Sequence, residues 1–335
     1  MNKAIFSLLL CVLVAGCAKP RNEVVIYTSL DQVFSEPVLQ DFERETGIKV
    51  RAVYDVEATK TTGMVNRLIA EKDNPQADVF WNSETARTII LKKKGVLTPY
   101  FSLNANDIPK KFKDRDGYWT GFAARARVLI YNRDLLKPED LPNSIFDFTN
   151  ARWNGRVALA NPLFGTTATQ AAALFVSLGG QEAERYFRAL RANNVIIVDG
   201  NSTSRDRVQD GEIPIGLTDT DDANVAILGR KPVDIIFPDQ GADQIGTLFI
   251  PNTVCLIKDS PHPANGKRLI DYILRKETES KLAFSEAGQI PLRDDVKRPA
   301  NIPSYQRIKT MDVDFEAVAD MIEHTSKIMQ DIFIR

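Results

Sequence analysis

The sequence predicts an α/β protein built on a parallel, doubly wound sheet. Between residues 23 and 84, short apolar runs alternate with helix-length amphipathic segments. The links between them are short, as successive βαβ units require. Two of the apolar runs also end in small polar residues, and ligands of open α/β sheets bind beyond the carboxyl ends of the strands. At 335 residues the chain is long enough for two domains of ordinary size.

The run EVVIYTSL (23–30) reads as a buried strand. VFSEPVLQDFERETGIKV then sets Val33, Phe34, Val38, Leu39 and Phe42 on one helical face, with Gly47 as its stop. IKVRAVYD is the next strand, TTGMVNRLIAEK a helix, and ADVFWNSE a strand whose tip carries Asn82, Ser83 and Glu84. LKKKG (91–95) reads as a helix C-terminus, where lysines suit the negative end of the dipole.

The pattern then changes. WTGFAARARVLIYNRDLL is a long strand-like segment with alternating small and large residues. A second unit opens at GRVALANP and continues into FGTTATQAAALFVSLGG, a helix with a threonine-rich start and a glycine stop. QEAERYFRALRANN, RDRVQDGEIPIGLTDTDD, ANVAILGRK and VDIIFPDQ carry the alternation on. After GTLFIPNTVCLI come the amphipathic helix pair PANGKRLIDYILRKETESKLAFS and a final helix, FEAVADMIEHTSKIMQDIFI.

The first sixteen residues are a leader. Lys3 precedes an apolar run from Ala4 to Ala15, too short and too weakly flanked for a permanent membrane span. LVAGC resembles the bacterial lipobox, which implies cleavage before Cys17 and lipidation of that residue. AKPRNE follows as a polar tether, and Ala18 rather than Asp after the cysteine favours the outer membrane in a Gram-negative cell. With Cys17 lipidated, Cys255 has no partner for a disulfide within the mature chain. Formal charge is balanced, 43 basic against 44 acidic residues, and gives no footprint for nucleic acid. Of the two histidines, His262 stands beside prolines and His324 in the last helix, which weighs against a zinc enzyme and places neither to activate a serine.

Several stretches together resemble the extracellular solute-binding proteins of bacterial ABC importers, in the branch of the ferric-iron-binding proteins. They are VVIYTSLDQVFSEPVLQDFERETGIKV, NRLIAEKDNPQADVFWNSE, ARARVLIYN, ARWNGRVALANP and PHPANGKRLIDYIL. They cover nearly the whole mature chain in the family's order. The resemblance implies the two-lobe periplasmic-binding-protein fold (type II), with two crossing segments and a hinge. The lobes it implies are 23–123 plus 246–285 and 124–245 plus 286–335, after a leader (1–16) and a lipidated tether (17–22). It further implies a monomer in the periplasm, an inner-membrane ABC permease as partner, and no catalysis or resident cofactor. The transported ligand it implies is ferric iron, with a synergistic anion; a phosphonate or organophosphate anion is the alternative. A ligand-sensing lipoprotein not coupled to transport is the remaining reading.

Candidate ligand residues follow from the strand tips and the resemblance. Ser29 and Asp31 end the first strand, and Asn82 and Glu84 end ADVFW. Arg125 lies where ferric-binding relatives place an arginine on their anion. Thr166 and Thr167 begin a helix whose N-terminus suits an anion. TDTDDA (218–223) stands where those relatives carry two adjacent tyrosines, and this chain has no such pair. Asp219, Asp221 and Asp222 are there instead. Their carboxylates suit a hard cation, with Asp219 and Asp221 the candidate metal ligands, or an organic ammonium group. They equally suit a helix N-cap with acidic residues at the positive end of the dipole. Asp219 and Asp221 on one loop are poorly spaced to flank a sugar bond, which weighs against a glycosidase pair.

Lipidation at Cys17 has a direct test. Cys17→Ser is expected to release the protein from membranes in a fractionation with salt washing, since acyl chains supply the stable anchor. Retention of the variant in the membrane fraction would refute it.

Overall fold

The computed structural model describes residues 22–55 and 61–334; Cys17 and the leader lie outside them. Ten strands and ten α-helices alternate among the described residues. The first half of the sheet contains β1 (Glu23–Thr28), β2 (Lys49–Tyr54), β3 (Val79–Asn82) and the short β4 (Leu97–Thr98). The long β5 (Thr120–Asn132) leads into β6 (Val157–Ala160), β7 (Ile196–Val198), β8 (Ile215–Asp219) and β9 (Val233–Ile236). β10 (Phe249–Ile257) returns to the first half, giving the order β2-β1-β3-β10-β5-β8-β6-β7. β1, β2 and β3 are mutually parallel, as are β6, β7 and β8. The two doubly wound halves expected from the sequence are thus joined through antiparallel crossing strands.

The helices follow the periodicity. α1 (Gln32–Thr46) buries Phe34, Val38, Leu39 and Phe42 and ends at Gly47, whose φ of 68° is the left-handed C-cap that glycine adopts without a Cβ penalty. Val33, expected on the same face, is 70 % exposed. It is the second residue of the helix and, at about 3.6 residues per turn, lies on nearly the opposite side from Val38 and Phe42, so the first turn points it to solvent. α2 (Thr62–Ala70) and α3 (Ala86–Lys93) complete the first half, and Lys92 and Lys93 occupy the last turn of α3. In the second half lie α4 (Gly165–Leu178), α5 (Gly180–Ala192), α6 (Asn201–Gln209) and α7 (Thr220–Leu228). α8 (Pro263–Ile273) and α9 (Lys276–Phe284) turn back to the first half, where α8 packs on β10 and β1. α10 (Phe315–Phe333) packs on α4 and α5 but also on α3, so it touches elements of both halves.

β5 organises the molecule. Thr120 to Ala126 pair with β10, and Arg127 to Tyr131 pair with β8. By strand alternation Phe122, Ala124, Ala126, Val128 and Ile130 enter one core, and Leu129 enters the other. Arg125 and Arg127 therefore share the Leu129 face, at the point where the strand changes partner.

The crossing is irregular. Ala123 has φ 38°, a conformation that costs a non-glycine residue about 1–3 kcal/mol, and β10 shifts register at Pro251/Asn252. A buried carboxylate holds the bend in place: Glu279 of α9 accepts from the backbone N–H of Ala123 at 2.7 Å and of Leu292 at 3.1 Å, and from Arg293 Nε at 2.7 Å. Removing that acceptor strands a buried guanidinium and two amides. Glu279→Ala is expected to lower unfolding free energy by about 3–5 kcal/mol, measured as a fall in the denaturant midpoint; an unchanged midpoint would show that the bend needs no such support.

Candidate functional site

The strand tips converge, as the carboxyl-end rule requires. A pocket with about 480 Å³ of empty space, part of it open to solvent, lies between the halves of the sheet. Asp31 and Ser83 reach it from the tips of β1 and β3, and Asn161 and Asn201 from those of β6 and β7. Asp219, Asp221 and Asp222 follow from β8 into α7, and Gly165, Thr166 and Thr167 open α4.

Sheet register explains the central contact. The antiparallel pairing of β5 with β8 sets Arg127 directly opposite Asp219. Arg127 is 0 % exposed and uses all three nitrogens. Its Nη1 donates to Asp219 Oδ1 at 2.7 Å, to Asn201 Oδ1 at 2.9 Å and to Thr166 Oγ1 at 3.2 Å. Nε donates to Gln170 Oε1 at 2.9 Å, and Nη2 to Thr167 Oγ1 at 3.2 Å. The other oxygen of Asp219 accepts from Thr166 at 2.6 Å and Asn201 at 3.0 Å. Burial pushes this carboxyl up, but Arg127 and Arg125 pull it further down, and the net shift is below the usual aspartate range.

Arg125 differs from its neighbour. It is 4 % exposed, and Nη1 meets Asp221 Oδ2 at 3.3 Å. Its Nε and Nη2 have no hydrogen-bond partner among the described residues. Burial alone would depress this guanidinium; Asp221, Asp219 and Asp31 outweigh it and hold it above its ordinary value. Beside it, α4 begins with Phe164 in the N-cap position, which offers no side-chain acceptor. The first-turn N–H groups and the positive end of the dipole thus meet the pocket uncapped. Thr166 and Thr167 stand inside the helix, with their hydroxyls turned to Arg127 rather than used as caps.

The cap reading of TDTDDA holds in part, since Asp221 and Asp222 are the acidic residues in the first turn of α7. Asp219 occupies the N-cap position of α7, yet its side chain makes no capping hydrogen bond, because Arg127, Thr166 and Asn201 hold both oxygens. Asp219, Asp221 and Asp222 offer oxygens within 4.8 Å of one another. Arg125 lies against Asp221, and Arg205 Nη1 lies 3.6 Å from Asp222. All three carboxylates have protein partners; Asp219 is the one held by three side chains at once, Arg127, Thr166 and Asn201.

Ser29, Asn82 and Glu84 are placed behind the pocket wall. Ser29 Oγ donates to Asn82 Oδ1 at 2.8 Å and accepts from the backbone N–H of Ser83 at 2.8 Å. Glu84 joins the halves: Oε1 accepts from Arg87 N–H at 2.8 Å, and Oε2 accepts from Thr169 of α4 at 3.0 Å. Arg127, Asn161 and Asn201 were not singled out in the sequence, and Ser83 was named at the strand tip but not among the candidate ligand residues. The ARAR alternation puts Arg127 on the same face as Arg125, and VDGN follows a strand, so the rule that selected Ser29 and Glu84 also reaches Asn201.

Comparisons bear on this pocket. A family model described as bacterial extracellular solute-binding protein matches residues 75–317. The chain belongs to the bacterial extracellular solute-binding proteins. "Iron uptake protein A1" of Synechocystis is 24 % identical over 330 residues, 95 % of this chain and 89 % of the relative. "Putative 2-aminoethylphosphonate-binding periplasmic protein" of Salmonella typhimurium is 30 % identical over 288 residues, 83 % and 78 % of the two chains. Iron-bound HitA from Pseudomonas aeruginosa superposes with TM-score 0.84 at 20 % identity, covering 93 % of this chain and 99 % of that one. The expected two-lobe fold is therefore present, and the pocket lies where such a fold closes on its ligand. Solute-binding proteins of ABC importers, as a class, bind a small ligand and work with an inner-membrane permease. No helix among the described residues is long and apolar enough to cross a membrane.

A titration test follows from Asp219. A carboxyl whose folded value lies below its unfolded value, about 3.9, contributes stability that is complete above that value. The contribution is lost as pH falls through the depressed folded value. Asp219→Asn is expected to cost about 3–5 kcal/mol at pH 7, because Arg127 stays buried. Unfolding curves of the two proteins should converge as pH drops below about 3.9; a gap independent of pH would refute the pairing.

Proposed function

We propose that this solute-binding protein, tethered through Cys17 to the outer membrane, captures a ligand that presents an oxyanion to Arg125 and a positive centre to Asp221 and Asp222. The two halves, with boundaries near 123 and 246, close about β5 and β10, and the loaded protein delivers its cargo to an inner-membrane ABC permease. It acts as a monomer and holds no resident cofactor. The observation that supports the oxyanion most directly is Arg125, buried, charged, and with two N–H-bearing nitrogens unpartnered on the pocket wall beside the uncapped start of α4. A buried donor without a partner costs about 1–3 kcal/mol, which a bound oxyanion would recover.

Ferric iron held together with an oxyanion is the first carrier of that chemistry. Hard carboxylate oxygens suit Fe³⁺, the three aspartates cluster within 4.8 Å, and relatives in several bacteria are named for iron. An aminoalkylphosphonate is the second carrier. It is supported by the 30 % identical Salmonella relative and by the commitment of Asp219 to Arg127. Its phosphonate would take Arg125 and α4, and its ammonium group would face the remaining carboxylates.

Melting temperature against ligand concentration separates the two, because a ligand of the folded state stabilises it by mass action. Ferric citrate, ferric ion with phosphate, 2-aminoethylphosphonate and methylphosphonate form the panel. Arg125→Ala is expected to weaken the bound ligand about a hundredfold, in line with about 2–5 kcal/mol for truncating one partner of a buried charge pair. Asp221→Asn with Asp222→Asn should abolish ferric binding, should weaken 2-aminoethylphosphonate, and should leave methylphosphonate untouched. If Arg125→Ala binds every ligand as the parent does, the oxyanion reading fails.

A further inference from the structure

Arg127 and Arg125 are two residues apart on one face of β5, yet their surroundings are opposite. Arg125 lines the pocket with two nitrogens unpartnered. Arg127 does not line it, and its guanidinium makes five hydrogen bonds, every one to a side chain of the second half of the sheet. We propose that Arg127 is a positioning residue that sets the sign of the ligand, by engaging the carboxylate of Asp219 where it lines the pocket and by fixing the first turn of α4. The proposal deepens the oxyanion reading and rests on it for the identity of the ligand group.

Two consequences of the geometry support this. Asp219 already stands with Asp221 and Asp222 within 4.8 Å, and without Arg127 its charge would lose its nearest compensating partner, a change that favours a bare multivalent cation. With Arg127, one charge of that cluster is cancelled and both Asp219 oxygens are occupied by buried donors. The same guanidinium reaches Thr166 through Nη1 and Thr167 through Nη2. Those residues begin α4, so the fork fixes the direction in which the helix presents its N–H groups. Lysine could supply the charge at this position but not the planar fork that spans two threonines and a carboxylate.

The test uses calorimetric titration of the full-length mature protein with terbium(III) chloride and, separately, with 2-aminoethylphosphonate. Arg127→Gln is expected to gain at least tenfold in terbium affinity and to lose at least tenfold in phosphonate affinity. Adding Asp219→Asn should remove the terbium gain, a rescue that a merely structural arginine would not produce. Equal terbium affinity of parent and folded Arg127→Gln would overturn the proposal, as would a gain that survives in the double variant. Should Arg127→Gln fail to fold, Asp219→Asn alone decides: freeing Arg127 should hold or raise phosphonate affinity, and a tenfold loss there would overturn the assignment. If the parent ignores phosphonate altogether, the aminoalkylphosphonate carrier fails, while the terbium comparison still reads out Arg127.

Discussion

The salt bridge between Arg127 and Asp219 is the constraint on which the site depends, and it is a consequence of strand register. β5 leaves β10 after Ala126 and pairs with β8 from Arg127 onward, so the first rung of the new ladder is Arg127 against Asp219. A register shift of one residue would turn both side chains to the opposite face. The contact therefore marks the place where the halves join, and it ties the ends of β7, β8 and α4 together through Asn201, Asp219 and Thr166. Three elements far apart in sequence meet at one guanidinium.

Charge in this region is dense and nearly balanced. Arg125, Arg127 and Arg205 stand among Asp219, Asp221 and Asp222, with Asp31 across the pocket. A buried ion pair is rarely a net source of stability, because desolvation offsets the attraction. Such pairs do have a directional consequence: groups that satisfy one another keep less hydrogen-bonding capacity for a ligand, even where they line the pocket, than groups left incompletely satisfied. Asp219 and Arg127 belong to the first kind, and Arg125 to the second. This division makes the pocket selective in a way that a count of acidic residues does not convey.

Much of the architecture was legible from periodicity. α1 with its glycine stop, the strand tips at 28 and 82, the long crossing strand and the threonine-rich start of α4 all follow from local pattern, because each buries a face set by local spacing. The site was legible only in part. Asp31, Arg125, Thr166, Thr167 and the three aspartates do line one pocket. Ser29 and Asn82 are bonded to each other behind it. Whether a polar tip residue faces ligand or a neighbouring tip depends on the packing of two strands separated by some fifty residues of chain, which local pattern does not encode. Arg127 was hidden for the same reason: its partner is defined by the pairing of β5 with β8, a contact across ninety-two residues.

Glu84 connects the site to closure. It lies at the tip of β3, fully buried, and its Oε2 receives a hydrogen bond from Thr169 of α4, while Arg87 Nη2 approaches the carbonyl of Leu163 at 3.4 Å. These contacts exist only when the two halves meet. A hydrogen bond to a charged group contributes about 1.5–3 kcal/mol, and each unsatisfied buried donor costs about 1–3 kcal/mol. The seam at Glu84 and the unpartnered nitrogens of Arg125 are thus comparable and opposite in sign. On the proposed reading, closure over an empty pocket gains the first and incurs the second, so these two contributions nearly offset each other. In that reading an oxyanion on Arg125 would remove the opposing cost in the closed state alone, the differential interaction a small ligand needs to shift the equilibrium.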